Sequence, residues 1–227
     1  NLAGLFHNQV MNNSLSITFD NPHYPSRLRS LPNSPKELFY RGNLACLELD
    51  LIAVIGSRTS TRGGEFSAGY FARTLVQHGY SVISELANGI DSAALSGALS
   101  TRQKMAAIAV CQSSLDDPRL TQGPHIFKKI AEEGLILSES TNYLNHRDTS
   151  YGANRIIAAL CKAVLIIEAG PYSGTLITAN YCNHLGKQIF AIPHKPWDKN
   201  SQGCNRLIQQ GAKAVTNISD ILEELMT

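Results

Sequence analysis

The stretch Ile52-Ala-Val-Ile-Gly-Ser-Arg58 decides how this chain is read. An apolar, β-branched run stops at Gly56-Ser57-Arg58, and Gly63-Gly64 then opens a helix-like pattern. That is the signature of a buried parallel strand, a tight turn and a helix start. Such a turn presents backbone N–H groups at the positive end of a helix, where anions bind. Arg58 adds a forked cation suited to phosphate. The same grammar returns near Ser84, Ser138 and Ser173.

Working outward, apolar strand candidates fall at 51–55, 81–84, 105–110, 135–138, 163–167 and 188–192. Helix-like stretches lie between them, at 64–78, 90–101, 124–133, 153–161 and 175–185. A helix, a short strand and an amphipathic helix follow at 205–210, 214–216 and 218–226. Upstream, 14–19 alternates as a short strand does, and Phe39-Tyr-Arg-Gly-Asn43 reads as a strand entering a turn. Strand alternating with helix predicts an α/β fold, a doubly wound and mostly parallel sheet with helices on both faces. In such sheets ligands bind beyond the carboxyl ends of the strands. The polar clusters fall there: Gly56-Ser57-Arg58, Ser84 to Asp91, Gln112 to Asp116, Ser138-Glu139, Glu168 to Thr175 and Pro193-His-Lys195.

At 227 residues the chain suits one large domain, or one domain with a small appendage. It is 43% hydrophobic and 17% charged, which fits a globular protein with a real core. A net charge of +2 excludes a globally basic nucleic-acid binder, so any such site must be a local patch. The five cysteines form no CxxC pair and have no metal or disulfide spacing, as expected of reduced structural thiols in a cytoplasmic protein. No signal peptide is visible, and the longest apolar stretch, 156–167, is too short to span a bilayer. The first residue is Asn1 and not Met, as a processed or shortened chain would have.

Taken in order, the motifs are Ile55-Gly-Ser-Arg58, Leu86-Ala-Asn-Gly-Ile-Asp91, Leu115-Asp116, Leu137-Ser-Glu139 and Asn154-Arg-Ile-Ile157. Glu168-Ala169 with Ser173-Gly-Thr-Leu-Ile-Thr-Ala179, and Gly203-Cys-Asn-Arg-Leu-Ile208, complete the set. The set resembles the DNA-processing protein A family (DprA, also called Smf), from about Pro22 to the C-terminus. The resemblance implies an extended Rossmann-like domain over 35–227 and an extension over 1–34, of which 1–13 is the end of a helical domain. It implies a homodimer that binds single-stranded DNA, protects it and loads the RecA recombinase in natural transformation. It implies no enzyme activity, no cofactor and no membrane. A C-terminal winged helix, which some relatives carry, is not expected here. Several positions depart from the family pattern: Glu85 and His194 for glycine, Leu95 for His, Gln112-Ser113-Ser114 for a glycine-rich turn, and Ala153 for Arg. An aromatic position is Ser150, with Tyr151 adjacent. These departures bear on DNA affinity more than on the fold.

The candidate phosphate and DNA contacts are Gly56, Ser57, Arg58, Tyr151, Asn154, Arg155, Ser173, Gly174, Thr175 and Lys195. Arg58 fits a phosphate contact or a surface ion pair. Arg155, at the start of a helix, has its charge opposed by the macrodipole, which favours an anionic ligand or a partner in Glu139 or Glu168. Ser173-Gly174-Thr175 fits an N-cap, a phosphate turn, or both. Tyr151 can stack on a base or pack on the surface, and Lys195 flanks Trp197 on a DNA track or a plain loop. Asp91 and Glu168 are expected to be structural, the first as a helix cap and the second by orienting Arg155 or organising loops. His78, His125 and His184 lack metal-ligand spacing.

Two other readings stay open. Phosphoribohydrolases of similar fold carry Pro-Gly-Gly-x-Gly-Thr with a catalytic Glu three residues on; here the turn is Gly170-Pro-Tyr-Ser-Gly-Thr175, and Thr178 stands at the Glu position. A nucleotide-binding sensor is the other. A dehydrogenase is disfavoured because no G-x-G-x-x-G follows a strand.

Overall fold

A computed structural model describes residues 14–121, 125–142, 150–200 and 202–226, and of Ser150 and Tyr151 the backbone only. The strands are β1 (Leu15–Thr18), β2 (Glu37–Gly42), β3 (Leu51–Ile55), β4 (Ser81–Glu85), β5 (Ala107–Val110), β6 (Leu135–Ser138), β7 (Ala163–Ile166), β8 (Gln188–Ala191) and β9 (Lys213–Ala214). The described helices are α1 (Ser26–Arg29), α2 (Arg62–Gln77), α3 (Ile90–Leu99), α4 (Pro118–Thr121), α5 (His125–Glu133), α6 (Ser150–Leu160), α7 (Thr175–His184), α8 (Gln202–Gln209) and α9 (Ser219–Met226), with a 3₁₀ turn at Leu44–Glu48.

The nine strands among the described residues join one sheet in the order β1-β2-β6-β5-β4-β3-β7-β8-β9. From β6 to β9 the pairs are parallel; β1 and β2 add an antiparallel edge through Phe39↔Ser138 and Leu15↔Tyr40. The fold is therefore α/β, a mostly parallel sheet with helices on both faces. β3 is buried at every position because it is covered on both sides. Leu51, Ala53 and Ile55 face α6 and α7, while Ile52 and Val54 face α2 and α3. That explains a continuous apolar run where an edge strand would alternate. Each of its Leu, Ile and Val side chains contributes about 1.5–3 kcal/mol by leaving water.

Successive strands run from β3 through β4 and β5 to β6 on one side, then return across the sheet to β7 on the other. The strand order reverses between β3 and β7, and their carboxyl ends diverge into a crevice there.

Residues 14–34, expected as an extension, contribute β1 and bury Tyr24, Leu28 and Leu31 in the same core. Residues 1–13, and the Pro124 start expected for α5, lie outside the described residues. The strand expected at 105–110 begins at Ala107, because Met105 takes a left-handed backbone (φ 61°) and is still in the turn. All five cysteines are buried and unbridged, and burial pushes the thiols of Cys46, Cys111 and Cys204 up to about 12, so they stay protonated. No helix among the described residues is long and apolar enough to cross a membrane.

Candidate functional site

The crevice at the order reversal is a cleft of about 690 Å³. Gly56, Ser57 and Arg58 line it from the turn after β3, and Ser173, Gly174 and Thr175 from the loop before α7. Asp91 from α3 and Asn154 from α6 close its floor. Seven of the ten residues expected as phosphate contacts thus share one cavity with Asp91, although they come from segments far apart in sequence.

The turn after β3 is held internally. The Gly56 N–H donates to Asp91 Oδ1 (3.1 Å), the Ser57 N–H to the Glu168 carbonyl (2.8 Å) and the Thr59 N–H to Ser57 Oγ (3.1 Å). The anion at the N-terminus of α2 is the protein's own. Glu168, buried, accepts from the Thr61 N–H (3.0 Å) through Oε2 and from the Thr61 hydroxyl through Oε1, while Thr61 Oγ1 caps the helix at the Gly64 N–H (3.0 Å). Gly64 must be glycine for this, because a Cβ there would lie 2.4 Å from the Glu168 carboxylate. Glu168 therefore organises loops and does not touch Arg155. Asp91 does not cap α3, whose N-cap is Gly89; it ties the start of α3 to the turn after β3.

With these N–H groups occupied, recognition of an anion in the cleft falls on Arg58 and on the positive end of α7. The Arg58 side chain is 57% exposed, and its nearest acidic partner, Glu85 Oε2, lies 3.6 Å away. Glu85 is held in turn by Gln112 Nε2 (2.9 Å). Two of the departures from the family pattern thus bond to each other, and one of them, Glu85, faces Arg58. Burial raises the pKa of Glu85, opposed by the Arg58 charge and the Gln112 hydrogen bond. Burial raises that of Asp91 well above the ordinary carboxylate range, and the Glu85 charge adds to it. Among the described residues the cleft thus sets one exposed cation beside Glu85 and above Asp91, the carboxyl that burial disfavours most as an anion.

Arg155 lies apart from this cleft. Its guanidinium grips both Glu139 oxygens (2.6 Å each) and also donates to the carbonyls of Asn33 (3.0 Å) and Gly152 (2.9 Å). Of the two acidic partners expected for it, the structure places it on Glu139. Asn154 Oδ1 accepts from the Thr178 hydroxyl (3.0 Å), so a buried hydroxyl occupies the position where phosphoribohydrolases hold a carboxylate. Ser173 Oγ accepts from the Thr175 N–H (3.3 Å), and Gly174 is the N-cap of α7. Lys195 is exposed on the loop after β8 and does not line the cleft. The Tyr151 side chain lies outside the described residues.

Ala153 is buried in the core, so this departure leaves no gap at the cleft. His194 fastens the end of β8. Its N–H donates to Asn205 Oδ1 (3.0 Å), and its Nε2 must carry a proton because it faces the Ile167 carbonyl (2.7 Å). Among the cleft residues outside the sequence-derived candidates, those with side chains suited to a ligand include Tyr172, which is 99% exposed, and the pair Glu85 and Gln112. Tyr172 had one signal, an aromatic in a Gly/Pro/Ser turn with no apolar neighbour to pack on.

Residues 15–226 match the model of the DNA recombination-mediator protein A family. DNA processing protein DprA of Streptococcus pneumoniae is 38% identical over 88% of this chain and 71% of its own length. Its X-ray structure superposes with a TM-score of 0.86, at 35% identity over 99% of this chain and 78% of that one. DNA processing protein A of Helicobacter pylori, solved for its single-stranded DNA binding mode, gives a TM-score of 0.82 at 27% identity, over 95% of this chain and 97% of that one. Protein Smf of Synechocystis is 36% identical over 92% of this chain but only 53% of its own length, so the chain spans about half of that relative. With the family's model matched from β1 to the last helix and its fold reproduced, the chain belongs to the DNA recombination-mediator protein A (DprA/Smf) family.

Proposed function

We propose that the cleft between β3 and β7 binds single-stranded DNA, and that the chain acts as a dimeric mediator which shields the strand and passes it to a RecA-type recombinase. The observation that carries this is the pairing, in one cleft, of an exposed guanidinium with a fully exposed aromatic: Arg58 and Tyr172. A sequence-independent strand site needs these two elements, a cation for the backbone and a ring on which a base stacks. The Helicobacter relative supports the choice of ligand. The turn residues Gly56, Ser57, Ser173, Gly174 and Thr175 shape the cleft, and Asn154 and Asp91 hold its floor. Glu168 and Arg155 act through other residues, by fixing the α2 start and the Glu139 loop. Lys195, on a neighbouring loop, and Tyr151 are proposed to extend the track beyond the cleft.

Fluorescence anisotropy of a labelled oligothymidine, single-stranded against duplex and at two salt concentrations, tests this. Binding should be strand-selective and weaken with salt, with a log–log slope of about −0.7 for each phosphate engaged. Arg58→Ala should weaken binding to any sequence and reduce that slope by about one contact. Tyr172→Ala should remove about 1–3 kcal/mol of binding, with no loss of thermal stability because the residue is 99% exposed. Wild-type affinity in both variants would remove the cleft from the DNA path.

A further inference from the structure

A second cavity, of about 370 Å³, adjoins the cleft, and the two share one wall made of Arg58, Glu85 and Gln112. Its remaining lining is largely apolar, with Leu86, Val110 and Leu120. A small concave apolar pocket with few polar groups is the usual form of a site for a flat organic ligand. The polar group at its entrance has an unusual balance. The Glu85 side chain is only 14% exposed, and both of its contacts, Gln112 Nε2 at 2.9 Å and Arg58 at 3.6 Å, fall on Oε2. Among the described residues, neither a hydrogen bond nor an ion pair reaches Oε1. A largely buried carboxylate oxygen without a donor is costly, and a ligand that brings one is favoured. A phosphate that draws Arg58 outward increases that demand by thinning the contact to Oε2.

We propose that this cavity takes an unstacked guanine of the bound strand, with Glu85 accepting from its N1–H and 2-amino group while Arg58 holds a neighbouring phosphate. The inference rests on the single-strand reading of the cleft. Among the DNA bases guanine alone sets two donors side by side on its Watson–Crick edge, and these match the two oxygens of a carboxylate as a guanidinium fork does. Thymine offers one donor between two carbonyls, which the carboxylate repels. Glu85 would then give a base preference to a site otherwise indifferent to sequence.

The test compares three labelled strands of equal length: all thymine, thymine with isolated guanines, and the same strand with inosine, which keeps N1–H but lacks the amino group. The wild-type protein should bind the guanine strand about tenfold more tightly than the thymine strand, with inosine between them. Glu85→Gln, which presents one acceptor in place of two, should bring guanine and inosine to the same affinity. If the wild type binds all three strands equally, Glu85 only competes with phosphate for Arg58 and the base pocket is wrong, while the DNA reading stands. A guanine preference that persists in Glu85→Gln also overturns it. Failure of every strand to bind removes the DNA reading itself.

Discussion

Arg58 and Arg155 look alike in sequence, each near the start of a helix and each within reach of acidic residues. Their surroundings separate them. Arg155 is 14% exposed and meets Glu139 in a two-toothed pair, with two carbonyls accepting from two more of its donors. Through the Asn33 carbonyl it also pins the segment before β2 onto α6. Arg58 is largely exposed, and among the described residues its acidic partner, Glu85, is at a loose 3.6 Å. Hydrogen bonds to charged groups are worth about 1.5–3 kcal/mol, and stranding a part-buried partner adds to the loss. Arg155→Ala should therefore lower the melting temperature, whereas Arg58→Ala should leave it in place and act on DNA binding. Differential scanning fluorimetry of the two variants, run beside the anisotropy titration, reads both effects. Equal melting temperatures for wild type and Arg155→Ala would show that the Glu139 pair is dispensable and return Arg155 to the list of direct contacts.

Among the elements, α2 and α3 are packed so closely that side chains at their crossing would not fit. A Cβ on Gly97 would lie 2.4 Å from the Gly69 carbonyl oxygen and 2.6 Å from the Gly69 Cα. Both are backbone atoms, so no rotamer change relieves the clash and the helices must separate. Gly97→Ala should cost about 1–3 kcal/mol, as overpacking does, or a fall of roughly 2–4 °C for each kcal/mol in a domain of this size. An unchanged melting temperature would mean the two helices slide freely. Most of this architecture was legible, because the strands from β3 to β8 are short apolar runs closed by Gly, Ser or Pro and the helices between them carry one apolar face. The antiparallel edge was not, since the alternation at 14–19 marks a strand without naming its partner. Nor was the fate of the turn after β3: its apolar run and Gly-Ser-Arg end are local, but the groups that take up its N–H donors, Asp91 and Glu168, are 35 residues away from Gly56 and 107 from Thr61. Glu85 and Gln112 stood out only as misfits to a pattern, and it is the parallel pairing of β4 with β5, Glu85↔Val110, that brings them face to face.

For the molecule as a whole, the reversal of strand order places a largely buried glutamate and a buried aspartate at the foot of one cleft, and folding bears the cost. Asp91 is 4% exposed; burial raises its pKa well above the ordinary range, the Glu85 charge raises it further, and the Gly56 N–H, Ser84 and Arg58 only partly oppose this. A carboxyl whose pKa is higher folded than unfolded binds more protons in the native state between the two values. Stability therefore falls as pH climbs from the ordinary carboxylate range through the native value, and is regained in acid until other groups titrate. Asp91→Asn keeps the Oδ1 acceptor for the Gly56 N–H and removes the charge. The variant should melt above the wild type at neutral and alkaline pH, and the gap should close as pH drops toward the ordinary carboxylate range. Melting curves of both proteins across that span decide it. A gap that stays constant with pH would mean that Asp91 gains its charge at no cost, and that the Gly56 N–H and Arg58 offset its burial in full.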